Sequence, residues 1–232
     1  MKILNIIKKS YIHLISIFRK SGIIKFLDKF KIFKKSHLRS LFFIYDLKYL
    51  IKNNYLWINY KSQKRLKEIL KKQFSILEYG SGASTIWFSQ KVKSIISIEH
   101  DHNWFKIIQP IINSRNVKLK LVKPDKIFNL NFKSEKLKNK SFKNYVKFPI
   151  KKKKKFDLIF IDGRCRNQCI YFSYRHLVKK KGIIVLDNSS RARYSNSKKW
   201  LIKKAKRVEI IYDYVPTLPY KEETTFFFLN RS

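Results

Sequence analysis

Cysteine, glycine, proline and acidic residues are scarce in this chain of 232 residues, and each shortage narrows what it can be. Two cysteines, Cys165 and Cys169, cannot build a disulfide framework, and their spacing alone is no zinc signature. They read as two reduced thiols on one helix, which points to a cytoplasmic protein. No uninterrupted apolar run reaches the roughly 18 residues of a spanning helix, so none is expected. Lys2 precedes an apolar stretch, but Lys8, Lys9, Arg19 and Lys20 interrupt it and no small-residue cleavage site follows. A signal peptide is therefore not expected. Acidic residues number 15 against 54 Lys and Arg, a formal charge of +39. Alone, that excess suggests a nucleic acid, an anionic membrane surface or an acidic polymer as partner. Yet Lys, Ile, Asn, Phe and Tyr are abundant together while Ala, Gly and Pro are rare, the imprint of an AT-rich genome.

What is present suffices for a folded core. Hydrophobic residues make up 44% and aromatics 16%, which excludes global disorder. The length accommodates one α/β core of about 150 residues plus an attached segment. Residues 1–70 carry helical patterning, with Ile3, Ile6, Ile7, Leu14, Ile15 and Phe18 at three- and four-residue spacings between lysines. Such a basic amphipathic segment either caps the core or, through residues 1–35, touches the inner membrane peripherally.

From residue 71 to 232 short apolar runs alternate with helical stretches, the pattern of a parallel sheet with crossover helices. Strands are expected at 75–79, 94–99, 117–122, 156–162 and 182–187, with helices at 84–91, 104–112, 169–178 and 200–205. The last two strands, 208–214 and 224–229, are joined by a loop too short for a crossover and should pair antiparallel. The expected fold is α/β: a Rossmann-like, seven-stranded, mostly parallel sheet with an antiparallel last strand and an N-terminal helical extension. Residues 133–155, lysine- and asparagine-rich, read as an exposed loop.

Ligands in open parallel sheets bind beyond the carboxyl ends of the strands. There the first strand runs into Glu78-Tyr-Gly-Ser-Gly-Ala-Ser-Thr85, where Gly80 and Gly82 permit a tight turn and close backbone approach. The second strand ends in Glu99, followed by His100 and Asp101; a carboxylate there can accept both hydroxyls of a ribose. The geometry serves a dinucleotide or S-adenosylmethionine. A dinucleotide fingerprint carries a third glycine, where this chain has Thr85, and Glu78 suits a cationic ammonium better than a pyrophosphate.

With Glu-Tyr-Gly-Ser-Gly-x-Ser-Thr, then Ile-Glu-His-Asp, then Ile-Asp-Gly-Arg, residues 74–229 resemble bacterial class I S-adenosylmethionine-dependent methyltransferases. The resemblance implies that Glu78, Gly80, Ser81, Gly82, Ser84 and Thr85 surround the methionine part of the cofactor. It implies that Glu99 holds the ribose, that Asp125 in Lys123-Pro-Asp lies near the adenine, and that Asp162 faces the sulfonium.

Asp162 ends the fourth strand and Asp187-Asn188 the fifth, so three oxygen ligands could converge on a hard cation such as Mg²⁺. The pattern is similar to the metal site of catechol- and caffeoyl-CoA-type O-methyltransferases, although their lysine is replaced by Cys165. The other reading is that Asp162 serves the cofactor alone.

Arg164, Arg166, Arg191 and Arg193 follow the same strand ends, and codon bias toward lysine does not cluster arginine. Guanidinium forks suit carboxylates and phosphates, which points to an anionic small-molecule or saccharide acceptor, O-methylated. His100 and Asp162 are the candidate catalytic groups. Nucleic-acid methylation is less favoured, because Asp162-Gly-Arg-Cys replaces the Pro-Pro-aromatic motif that clasps a flipped base. A non-enzymatic basic module on a degenerate core, an NAD-dependent oxidoreductase and an aminopropyl transferase are further alternatives.

Overall fold

The computed structural model describes residues 37–230 other than 127, 135, 136, 138 and 153, together with Leu14 and Ile17. The membrane contact expected of residues 1–35 falls, Leu14 and Ile17 apart, outside the described residues. No helix among the described residues is long and apolar enough to cross a membrane.

Seven strands form one sheet: β1 (Ser75–Tyr79), β2 (Ser94–Glu99), β3 (Val117–Leu121), β4 (Phe156–Ile161), β5 (Val178–Asp187), β6 (Arg207–Tyr214) and β7 (Lys221–Phe228). Their order is β3-β2-β1-β4-β5-β7-β6, with β7 antiparallel to both neighbours and every other pairing parallel. The reversal of winding at β1 and β4 opens the crevice in which such sheets bind ligands.

Strand residues alternate between two apolar layers. Ile76, Ile95, Leu158, Phe160 and Val185 meet Leu56, Ile58, Leu66, Trp87 and Phe88 on one face. Leu77, Ile98, Ile159, Ile161 and Leu186 meet Phe142, Tyr145, Cys169, Ile170 and Leu201 on the other. Among the described residues, α-helices α1 (His37–Leu41), α2 (Leu47–Lys52), α3 (Tyr60–Ile69), α4 (Ala83–Ser89), α5 (His102–Ile108), α6 (Lys143–Lys147), α7 (Arg166–Phe172) and α8 (Ser195–Ile202) accompany the sheet.

Two expectations need correction. Residues 47–69 do not stand apart from the domain placed at 71–232. Leu56, Ile58 and Leu66 share a core with Ile76 and Phe226, and the Asn59 side-chain amide donates to Ile211 O, Glu222 O and Thr224 Oγ1. The stretch 133–155 is not simply an exposed loop. Phe142, Tyr145 and Val146 are fully buried, because apolar residues at one-helix-face spacing give even a lysine-rich segment something to bury. Asp125 fastens it, accepting from Lys143 N at 2.5 Å and Asn144 N at 3.0 Å.

Candidate functional site

Glu78, next to last in β1, has no exposed surface. Its carboxylate accepts from Ser84 Oγ (2.5 Å), Thr85 Oγ1 (2.5 Å) and Ser97 Oγ (2.6 Å). Burial pushes its pKa up to about 7, against the pull of these three hydroxyls. The expectation that this carboxylate meets a ligand ammonium is thereby corrected. It ties β1 to α4 and β2, and so shapes the loop between them.

That loop contains two glycines with different reasons to be there. Gly80 has φ +96°, and a Cβ on it would lie 2.9 Å from the Gly163 backbone. Gly82 is extended, and a Cβ there would meet nothing closer than the Trp104 ring at 4.0 Å. The fold therefore demands glycine at 80 but not at 82. Gly82 is itself buried, and a glycine there leaves the loop backbone without a side chain that would hold a ligand at a distance.

Glu99 at the end of β2 is 3% exposed. Oε2 accepts from Ser81 N and Ser81 Oγ, each at 3.0 Å. Oε1 accepts from His100 N (2.7 Å) and Asp101 N (2.9 Å), with His100 Nδ1 also 2.7 Å away. Burial would raise the pKa of this acid, but the contacts with His100, Asp101 N and Ser81 N outweigh it and the pKa falls. The result is a permanent acceptor whose Ser81 hydroxyl contact a ribose hydroxyl could replace.

Arg164 Nε donates to His100 Nε2 at 3.2 Å. The ring's acceptor nitrogen is thus engaged by a guanidinium, while Nδ1 lies beside Glu99. That corrects its expected catalytic role: in this arrangement it has no lone pair for a substrate proton.

At the ends of β4 and β5 the expected oxygen cluster is present but filled. The Arg166 guanidinium, 6% exposed, donates to Asp162 O and Oδ1 (both 2.6 Å), Asp187 O (2.5 Å), Gly163 O (3.0 Å) and Asn188 Oδ1 (3.3 Å). Asp187 Oδ1 accepts from Thr224 Oγ1 at 2.7 Å. Burial, with Asp162 nearby, raises the Asp187 pKa to about 7, while Arg166 and Thr224 oppose the rise. The donor set does not fit a metal, because a fixed cation already lies among Asp162, Asp187 and Asn188. Arg166 is correspondingly a strut between two strand ends and not the substrate contact expected of it. Asp162 keeps a side chain 31% exposed, and among the described residues its Oδ2 accepts no hydrogen bond.

The remaining arginines sit on the rim. Arg191 pairs with Glu222 at 3.0 Å, and Arg193 lies over the Tyr194 ring at 4.9 Å. Asp125, expected near an adenine, uses both oxygens on α6 and on Ser141 Oγ (3.0 Å). The sequence reading missed Gly163, which only the approach of β1 to β4 explains, and Trp104. The Trp104 indole donates to Ser81 O at 2.8 Å. Its position four residues after His100, in the first turn of α5 just beyond β2, is the available signal.

No protein-family model matches the sequence, and no curated protein does. Solved structures are similar in fold. A precorrin-6y C5,15-methyltransferase from Geobacter metallireducens superposes with TM-score 0.52 at 15% identity, covering 73% of this chain and 86% of that one. A methyltransferase-like protein from Silicibacter pomeroyi gives 0.51 at 17%, covering 76% and 90%. A tRNA (m1A58) methyltransferase from Aquifex aeolicus gives 0.51 at 14%, covering 76% and 72%.

Proposed function

On the class I methyltransferase fold, which this chain has, we propose that it is an S-adenosylmethionine-dependent methyltransferase that O-methylates an anionic small-molecule or saccharide acceptor. The observation that carries the cofactor is the pairing of Glu99 with the loop at Gly80–Gly82 across the β1–β2 strand ends. Glu99 would accept from the ribose hydroxyls, the Gly82 backbone would lie against the methionine part, and Asp162 would face the sulfonium. When bound, the cofactor supplies an electrophilic methyl group.

The chain's task is then alignment more than acid–base power. Asp162, one oxygen fixed by Arg166 and the other open, is placed to take the proton of an acceptor hydroxyl. Arg164 and Arg191, whose charges act on Asp162, would hold the acceptor's negative charge. Mg²⁺ has no part in this reading, since Arg166 already supplies the positive charge at the strand ends. An acceptor borne on RNA is the second reading, favoured by the basic groove described below.

Calorimetric titration with S-adenosylmethionine and S-adenosylhomocysteine, with NADH as comparison, tests the cofactor. Binding of the sulfur ligands alone, weakened at least tenfold in Gly82→Leu, is the expected result. A folded protein that binds neither would end the methyltransferase reading.

A further inference from the structure

A second concave surface lies along the outer strands, away from the glycine loop. Its volume is about 960 Å³, and Lys93, Arg115, Lys118, Lys120 and Lys154 line it without a single acidic residue. It exists because of how β3 is covered. β3 reads Val-Lys-Leu-Lys-Leu, and Lys118 and Lys120 pair in register with Ile96 and Ile98. Those isoleucines belong to the layer covered by Phe142 and Tyr145, but the cover stops short of β3, leaving its lysines exposed. Phe148 supplies the one aromatic surface of the lining.

We infer that this groove binds the phosphate backbone of single-stranded nucleic acid. Lys118 and Lys120 are two residues apart on one face, about 6.6 Å along the strand, comparable to the spacing of successive phosphates on an extended chain. Lys93, Arg115 and Lys154 come from the flanking connections and complete a channel. Edge strands often carry lysine to prevent sheet extension, but that does not account for the three cations outside the strand. Burial lowers the Lys154 pKa, and Lys118 and Lys93 lower it further, with Asp157 the opposing acid. These cations repel one another until an anion enters. Asp157 is already paired with Lys179 at 2.7 Å. A concave channel suits a linear polyanion better than a flat bilayer, and a single aromatic makes the binding tolerant of sequence.

With a formal charge of +39 the whole protein attracts polyanions, so the test needs a charge-matched control. The full chain is titrated into a labelled oligouridylate of about twelve nucleotides, followed by fluorescence anisotropy over a range of salt. Lys118→Glu/Lys120→Glu is compared with Lys203→Glu/Lys204→Glu, an equally exposed pair beyond α8 on the opposite flank of the sheet. The groove pair should lose at least about tenfold in affinity and reduce the salt slope by about 1.4, the value for two single-strand phosphate contacts. The control pair should change less than about threefold, because distant exposed charges are screened. Equal losses in both pairs would overturn the inference in favour of diffuse charge. Loss of binding to phosphatidylserine vesicles with unchanged oligonucleotide affinity would overturn it in favour of a bilayer. Lys118→Gln/Lys120→Gln is the milder pair if the reversal unfolds the chain. S-adenosylhomocysteine affinity, measured on the same variants, should not move, so the groove and the cofactor site stand or fall separately.

Discussion

Gly80 and Gly163 meet backbone to backbone where β1 and β4 end. A Cβ on Gly80 would lie 2.9 Å from both Cα and N of Gly163, and one on Gly163 would lie 3.0 Å from Gly80 N. Asp162 N donates to Tyr79 O at 3.0 Å and Gly80 N to Ile98 O at 2.9 Å, so three strands are locked at this point. The contact brings the loop after Glu78 beside Asp162, the two halves of the proposed site.

The two loop glycines should therefore respond oppositely to a methyl group. Gly80→Ala, strained at φ +96° and blocked by backbone, should cost about 1–3 kcal/mol in urea unfolding. Gly82→Ala, whose Cβ would meet only the Trp104 ring, at 4.0 Å, should unfold within about 0.5 kcal/mol of the parent chain yet bind S-adenosylhomocysteine more weakly. An equal stability loss at both positions would refute the distinction.

Glu78 gives a pH dependence whose sign is fixed by its environment. Its pKa is 4.5 in an ordinary setting and about 7 here, so the folded state keeps a proton that the unfolded chain has released. Its stabilising contribution is complete below pH 4.5 and declines as pH rises to about 7. At about 1.4 kcal/mol per pH unit the decline amounts to roughly 3 kcal/mol. The difference in unfolding free energy between the parent and Glu78→Gln should track that decline and flatten above pH 7. A difference independent of pH would show that Glu78 titrates normally.

The strands show how far the sequence could be read. β1 at 75–79 and β2 at 94–99 fall where the apolar runs place them, because a buried parallel strand is written as a short uninterrupted apolar segment. The glycine loop and Glu99 follow from strand ends alone. Other features depended on contacts distant in sequence. Arg166 looks like a rim arginine until β4 and β5 stand side by side and enclose it. Glu78 looks like a ligand contact until Ser97 on β2 turns toward it. Helix α6 was hidden because its burial rests on Phe142, Tyr145 and Val146 in a lysine-rich stretch whose composition signals exposure.

Arg166 in place of a metal has a direct consequence. Arg166→Gln removes the buried guanidinium that joins Asp162 to Asp187 O and Asn188 and should destabilise the fold by about 3–5 kcal/mol. In the parent chain, EDTA should leave both thermal stability and S-adenosylhomocysteine affinity unchanged. A tenfold gain in affinity or turnover on adding Mg²⁺ would mean that the oxygens can exchange their guanidinium for a metal.

Trp104 should report ligand entry. Its indole donates to Ser81 O at 2.8 Å, and its ring is the nearest group to a Cβ placed on Gly82. A molecule pressed against Gly82 would sit beside that ring, and a ribose hydroxyl taking over Glu99 Oε2 would displace the Ser81 hydroxyl. Either event changes the polarity around the indole. Titration with S-adenosylhomocysteine should shift or quench tryptophan emission, and Trp104→Phe should abolish the change although three other tryptophans remain of the four. The variant loses only a hydrogen bond to a backbone carbonyl, so weakened affinity of about tenfold or less is expected, within what one neutral hydrogen bond contributes. If the emission change survives in Trp104→Phe, the ligand binds away from the loop, and the pairing of Glu99 with Gly80–Gly82 no longer locates the cofactor.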